Sequence, residues 1–370
     1  MEHRFSNIKL GTLWLFFSGF YLTQLTPISP VYIAFFFFTG LIAMNALLNK
    51  VIYLNVGVLI TIPMVVYLTF GFLNAEFNIV TNFIISLLSA FITYNLFNKK
   101  YMNSRLVLLS FFLYAVLFNF DGVWRLLNPE LDNLDKLVSL GVGFQIYKYN
   151  SVMYSDSNFV GLQNAFILTS FIYLIKNNDV FTTGRNKIIS NIIVLLMLVS
   201  LCLTFSRSAI LGFFIFLVFL FFRGKKLLKF AFILFLPLLF LAVAIEFNHF
   251  FSNDISFRSK FIIFDLTYNH LMSTSLYNVF FGVGLGNAVN YIGMGAHSLA
   301  LTLLIELGIL GLFFFSVYIF YLALVFKYDF NIVVLPFVII SFSLGSTAIP
   351  YFFVVTIFLV LVRRNKVSFY

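Results

Sequence analysis

The chain has 370 residues, of which 62% are hydrophobic and 10% charged, and its formal net charge is +10. A mean hydropathy of +1.03 excludes a water-soluble core of this length, and the basic excess sits in short segments between apolar runs, which excludes a nucleic-acid-binding stripe. The composition describes an all-α integral membrane protein with one polytopic domain, residues 1–370.

In chain order, the apolar runs able to cross a hydrocarbon core of about 30 Å begin with Leu10 to Leu25, Val31 to Leu48, Val51 to Leu73, Phe77 to Phe97 and Leu106 to Phe120. They continue with Phe159 to Ile175, Ile188 to Phe205, Ala209 to Phe222, Leu227 to Phe247, Ser298 to Phe326, Ile332 to Gly345 and Thr347 to Val362. Arg4 and Lys9 precede the first run and no small-residue cleavage site follows it, so it reads as an uncleaved span. About twelve transmembrane helices place both termini in the cytoplasm. Every Lys and Arg except Arg125, Lys136, Lys148, Arg207, Arg258 and Lys260 then falls on the cytoplasmic side, as the positive-inside rule requires.

Two outer segments stand out as long loops, 121–158 and 248–297. Connections of that length exceed what neighbouring helices need, which places the chemistry outside the cytoplasm. In the first, Asp121, Arg125, Glu130, Asp132, Asp135 and Lys136 read as a solvated loop able to touch sugar hydroxyls. Asp156 and Asn158, in SDSNF, precede the sixth span, where capping is the stronger reading and substrate contact the other. In the second, Phe257, Phe261, Phe264, Tyr268 and Leu271 recur at steps of four and three, the pattern of a short amphipathic helix at the membrane interface. Arg258 lies on its other face, within reach either of Asp254 four residues earlier or of a substrate.

The stretch FFGVGLGNAVNYIGMGAHSLALTLLIELGILGL, residues 280–312, carries the most information. Gly282, Gly284 and Gly286 can take positive φ or let a polymer approach the backbone. Neither a βαβ unit nor a Gly-Lys-Ser/Thr sequence accompanies them, so nucleotide binding is not expected. His297 opens an apolar run. A structural histidine is one reading; the other is a base, because neutral imidazole accepts a proton from a hydroxyl nucleophile. Glu306 falls on the opposite helix face, where an anchor to a neighbouring helix or a buried polar contact is the stronger reading and a catalytic role the lesser one. Arg207, in TFSRS at the outer membrane edge, either snorkels or binds phosphate, for which its planar fork is suited. Cys202 stands alone in an apolar run and the histidines lack ligand neighbours, so neither a metal nor any other cofactor is expected.

Three blocks, TFSRSAILG, SDSNF and FGVGLGN leading to AHSLALTLLIELGILGL, make the chain resemble the O-antigen polymerase and O-antigen ligase superfamily of bacterial envelope glycosyltransferases. The resemblance implies metal-independent transfer of a glycan from undecaprenyl diphosphate to a sugar hydroxyl at the periplasmic face of the inner membrane. It also implies Arg207, Arg258 and His297 as catalytic residues, and Gly282, Gly284, Gly286, Asp156, Asn158 and Glu306 as substrate-binding residues. Ser298 departs from the pattern, standing where an Asn often follows the histidine. The compact chain favours a polymerase over a ligase acting on lipid A core. A lipid-linked oligosaccharide flippase is the non-enzymatic alternative, although it would need cations along an interior cavity. The implied partners are the undecaprenyl diphosphate-linked oligosaccharide, membrane lipid and a chain-length regulator, with no nucleic acid.

Overall fold

The computed structural model describes residues 2–71, 75–97, 101–132, 134–139, 143–225, 255–364 and 368–369. The expected span Leu227 to Phe247, and Asp254, lie outside the described residues. The first helices are α1 (Glu2–Phe17), α2 (Pro30–Asn49), α3 (Val56–Phe70), α4 (Phe77–Phe97), α5 (Ser104–Leu127) and α6 (Leu134–Ser139). Next come α7 (Ser157–Lys176), α8 (Gly184–Leu203), α9 (Arg207–Phe221), α10 (Ile255–Ser273), α11 (Leu276–Phe281) and α12 (Ala288–Ile292). The last are α13 (Leu299–Glu306), α14 (Gly308–Phe326), α15 (Phe330–Val333), α16 (Leu335–Ser341) and α17 (Pro350–Arg363).

Among the described residues, six helical segments are long and apolar enough to cross a membrane: α2, α4, α5, α7, α8 and the run Gly308–Val333. Helices α3, α9 and α17 are apolar but shorter. Large apolar side chains stand uncovered on the outside of the bundle, with Phe36 67%, Leu47 81% and Phe70 81% exposed. Water does not tolerate so broad an apolar surface, whereas lipid does. The chain is a helical membrane protein.

Contacts at the two ends of the bundle show that successive helices alternate in direction. At one end Asp329 joins Arg223 Nη2 at 3.0 Å and Arg363 Nη1, with Tyr173 beside them. At that end Tyr101–Met102 also pairs with Ser368–Phe369 in a parallel two-strand bridge. At the other end Thr23 N donates to Met153 O, Arg125 Nη1 to Leu203 O, and Glu76 N to Leu285 O. Because Arg223 and Arg363 are partly exposed and screened, Asp329→Asn is expected to lower stability by only about 1 kcal/mol, read as a small fall in the thermal midpoint of detergent-purified protein.

Several boundaries differ from expectation, each for a local reason. The fifth span does not end at Phe120: α5 continues to Leu127 because Asp121 and Arg125, one turn apart, neutralise each other on its buried face. The expected helix Ser298 to Phe326 breaks between Glu306 and Gly308, where Gly308 takes φ +67°. The expected run Ile332 to Gly345 divides into α15 and α16, because Pro336 cannot donate to the carbonyl of residue 332 and crowds it. The first run, expected from Leu10 to Leu25, is helical only to Phe17.

Helix α17 is buried from Pro350 to Leu361 and packs on α4 and α7 at the centre of the bundle. Its 14 residues span roughly 21 Å, well short of a hydrocarbon core of about 30 Å. The non-helical segment 342–349 makes up the difference at the end of the bundle opposite Asp329. Irregular backbone at that depth needs partners. Ser86 supplies them, its Oγ donating to Thr347 O at 3.0 Å and accepting from Ile349 N at 3.0 Å. An irregular segment held this way lines a cavity more often than it faces lipid, and here it does.

Candidate functional site

The second half of the site is a small layer with its own core, formed by Ile263, Val283, Ala288, Ile292, Ala296 and Ile305. Helix α10 contributes Ile263 and the buried Thr267, while Phe261, Phe264 and Tyr268 of the expected aromatic stripe stay exposed. These three rings stand at the outer surface, as an interfacial helix requires, and Phe261 and Phe264 border a cavity.

The glycine loop closes against the far end of α13. Val283 N donates to Ile305 O at 3.0 Å and Gly284 N to Glu306 O at 2.9 Å. The buried Glu306 carboxylate accepts from Gly286 N at 3.0 Å and Ala288 N at 3.2 Å. Tyr67 Oη lies 2.8 Å from Phe281 O and 2.7 Å from Leu307 O, which fastens the layer to α3. Glycine at 282 has a structural cause. With φ +77°, a Cβ there would lie 2.3 Å from Glu306 C and O, and a Cβ on Gly308 would lie 2.3 Å from Phe280 O. Beside Gly286 the space is filled by the Glu76 side chain. The room expected for a saccharide at Gly282 and Gly286 is therefore occupied by protein, and Glu306 is the anchor of the loop.

At the near end of α13, His297 is exposed and takes φ +45°. Among the described non-glycine residues, only Lys50, Asn150, Phe205, His297 and Lys327 have positive φ. Such a conformation costs about 1 kcal/mol or more, and here it turns the chain from the loop into the helix. His297 lines a cavity of about 380 Å³ together with Lys260, Ser298, Phe261, Phe264 and Phe342. Lys260 Nζ donates to Ser343 Oγ, tying α10 to the irregular segment 342–349. On the same layer, burial pushes the His270 imidazole pKa below its usual value.

The first half of the site gathers around the start of α9. Asp121 and Arg125 are fully buried, with Arg125 Nε 2.9 Å from Asp121 Oδ2. Arg125 Nη1 also donates to Tyr147 O at 2.7 Å and Leu203 O at 2.9 Å. Asp121 Oδ1 accepts from Ser151 Oγ at 2.6 Å and Val152 N at 3.0 Å. The expectation of a solvated role for these two residues is corrected: the pair welds the outer loop to the segment before Arg207. Asp156 caps α7, accepting from Asn158 N at 2.8 Å, and Asn158 Nδ2 donates back to Asp156 Oδ2 at 2.9 Å. Lys148, also buried, places Nζ 3.5 Å from Asn158 Oδ1. Ser157 Oγ donates to Thr204 O at 2.7 Å, which ties this loop to the Arg207 segment.

Arg207 and Arg258 are both exposed and neither lines the cavity. Helix α16 links the halves: it packs on α7 and α9, and its continuation carries Phe342 and Ser343 to the cavity. Lys260 and Ser298 carry no motif that marks them in the sequence; the one signal is that Lys260 departs from the expected positive-inside charge trend. Comparison with protein-family models, characterised proteins and solved structures finds no match for this chain.

Proposed function

We propose that this protein is a polymerase-type glycosyltransferase, moving a growing glycan from undecaprenyl diphosphate to a sugar hydroxyl of a lipid-linked repeat unit. The supporting observation is the placement of His297: an exposed imidazole held in a left-handed backbone conformation on the wall of a mainly apolar cavity beside a cation. A backbone outlier at a cavity is a functional pointer. The motif resemblance supplies the reaction class.

In this reading the acceptor hydroxyl gives its proton to His297 while its oxygen bonds to the anomeric carbon of the donor. The bond from that carbon to the diphosphate oxygen breaks, and the electron pair leaves with the diphosphate. Arg207 and Arg258 neutralise the charge that develops there, and Asn158 with Lys148 faces the saccharide. The site operates at the periplasmic face of the bacterial inner membrane.

The test is a gel of surface polysaccharide from a deletion strain complemented with wild type, His297→Ala, Arg207→Ala or Arg258→Ala, with membrane levels matched. A single repeat unit without the protein, a ladder with wild type and a single unit with each variant are expected. Loss of a positioned base lowers the rate by about 100-fold or more. Full ladders from all three variants would remove these residues from the mechanism. Long lipid-linked chains that never reach lipid A core would indicate a ligase instead.

A further inference from the structure

The cavity beside His297 has a polar end that the reaction scheme leaves unused. Ser298 is the N-cap residue of α13, yet its side chain makes no capping hydrogen bond. Its Oγ is buried and has no hydrogen-bond partner among the described residues. An N-cap serine normally turns its oxygen onto the amides one turn ahead, and the first amides of a helix have no carbonyl partner within it. A hydroxyl withheld from that duty, at the positive end of a helix dipole and lining a cavity, is a donor kept for something else.

Lys260 lines the same cavity. Its bond to Ser343 fixes where the ammonium sits. Gly345 holds the arrangement closed, since a Cβ there would lie 2.8 Å from Ser298 C and 3.0 Å from Leu299 N. The Glu306 carboxylate sits at the opposite end of α13, roughly 12 Å away along the helix axis, and is occupied by Gly286 and Ala288. The other end of the cavity is apolar: Phe261 is 60%, Phe264 62% and Phe342 63% exposed. One cation, one uncommitted hydroxyl and a helix N-terminus thus meet aromatic rings that open outward.

We infer that Lys260 and Ser298 also bind the anionic head of a polyprenyl diphosphate, with its chain lying over Phe261, Phe264 and Phe342. This rests on the glycosyltransferase reading for the identity of the donor, but it assigns two residues that reading does not use. Lys260 binds the outer phosphate oxygens as a point charge. Ser298 donates one hydrogen bond, and the α13 amides add their dipole.

The test uses the full-length purified protein in detergent, with farnesyl diphosphate, farnesol and phosphatidylglycerol as separate probes and native mass spectrometry or calorimetry as the readout. Lys260→Ala is expected to weaken farnesyl diphosphate binding by about ten-fold or more and to leave farnesol binding unchanged. Lys260→Arg should restore most of the loss, which separates lost charge from misfolding. Ser298→Ala is expected to weaken binding about three- to ten-fold, while Lys187→Ala, at the opposite end of the bundle, leaves it within about two-fold. Unchanged farnesyl diphosphate binding in Lys260→Ala would overturn the assignment. So would phosphatidylglycerol binding as tightly as farnesyl diphosphate, which would make the cavity a general lipid site. Binding is read without turnover. A Lys260-dependent diphosphate site in a protein whose His297→Ala variant still builds full ladders would therefore keep this inference and remove the catalytic one.

Discussion

Asp121→Ala is expected to leave little folded protein in the membrane, with a loss of about 3–5 kcal/mol. The carboxylate is fully buried and is the only ionic partner that the described residues give Arg125, itself fully buried. Removing it strands a guanidinium whose Nη2 already has no hydrogen-bond partner among the described residues. It also releases Ser151 Oγ and the amides of Val152 and Met153, which hold the outer loop in place. A charge that loses its partner in a low-dielectric interior costs far more than the pair contributed when intact. The double variant Asp121→Ala/Arg125→Leu should recover much of the stability, because it removes the stranded charge along with its partner. Thermal unfolding of detergent-purified protein checks both. A single variant as stable as wild type would mean that the pair is not buried as described.

Gly282→Ala is expected to separate the glycine loop from α13 and abolish function while leaving the spanning helices in place. Two penalties combine. A non-glycine residue at φ +77° and ψ −178°, a region essentially restricted to glycine, costs about 1–3 kcal/mol, and a Cβ 2.3 Å from Glu306 C and O cannot fit without displacing backbone, which costs about 1–3 kcal/mol more. Gly293 is the milder case, since its φ +75° with ψ −3° is the left-handed helical region and open space surrounds the added Cβ. Gly293→Ala should therefore meet only the left-handed penalty of about 1–2 kcal/mol and retain activity. Polysaccharide ladders from the two variants, at matched membrane levels, compare a clamped position that only glycine fits with an open left-handed one. Equal behaviour would show that the loop is not clamped to Glu306.

Composition and apolar periodicity made the membrane class and most helix positions legible, because a spanning helix must satisfy its backbone internally and so writes a long uninterrupted run into the sequence. Boundaries failed where chemistry overrode hydropathy. Asp121 and Arg125 read as a loop because their polarity is plain in the sequence, whereas their mutual neutralisation shows there only as a four-residue spacing. The break at Gly308 was hidden because nothing in the apolar run ELGILGL says which glycine will take positive φ. His297 was legible from its position between a glycine loop and an apolar run. Its neighbours were not: Lys260, Ser298 and Phe342 lie far apart in the chain and meet only because α10, α13 and the segment after α16 pack together. The three glycines were read for what they might admit, whereas at Gly282 and Gly286 they serve what already touches them.

The most direct measurement incubates purified protein, reconstituted in liposomes, with a single-repeat undecaprenyl diphosphate oligosaccharide already on the accessible side, and follows product length by mass spectrometry. Wild type is expected to build chains of two or more repeats with release of undecaprenyl diphosphate, and His297→Ala to do so at least about 100-fold more slowly. Product that keeps the length of the starting unit, in wild type that is folded and binds it, would contradict glycosyl transfer and leave a carrier of lipid-linked saccharide in its place.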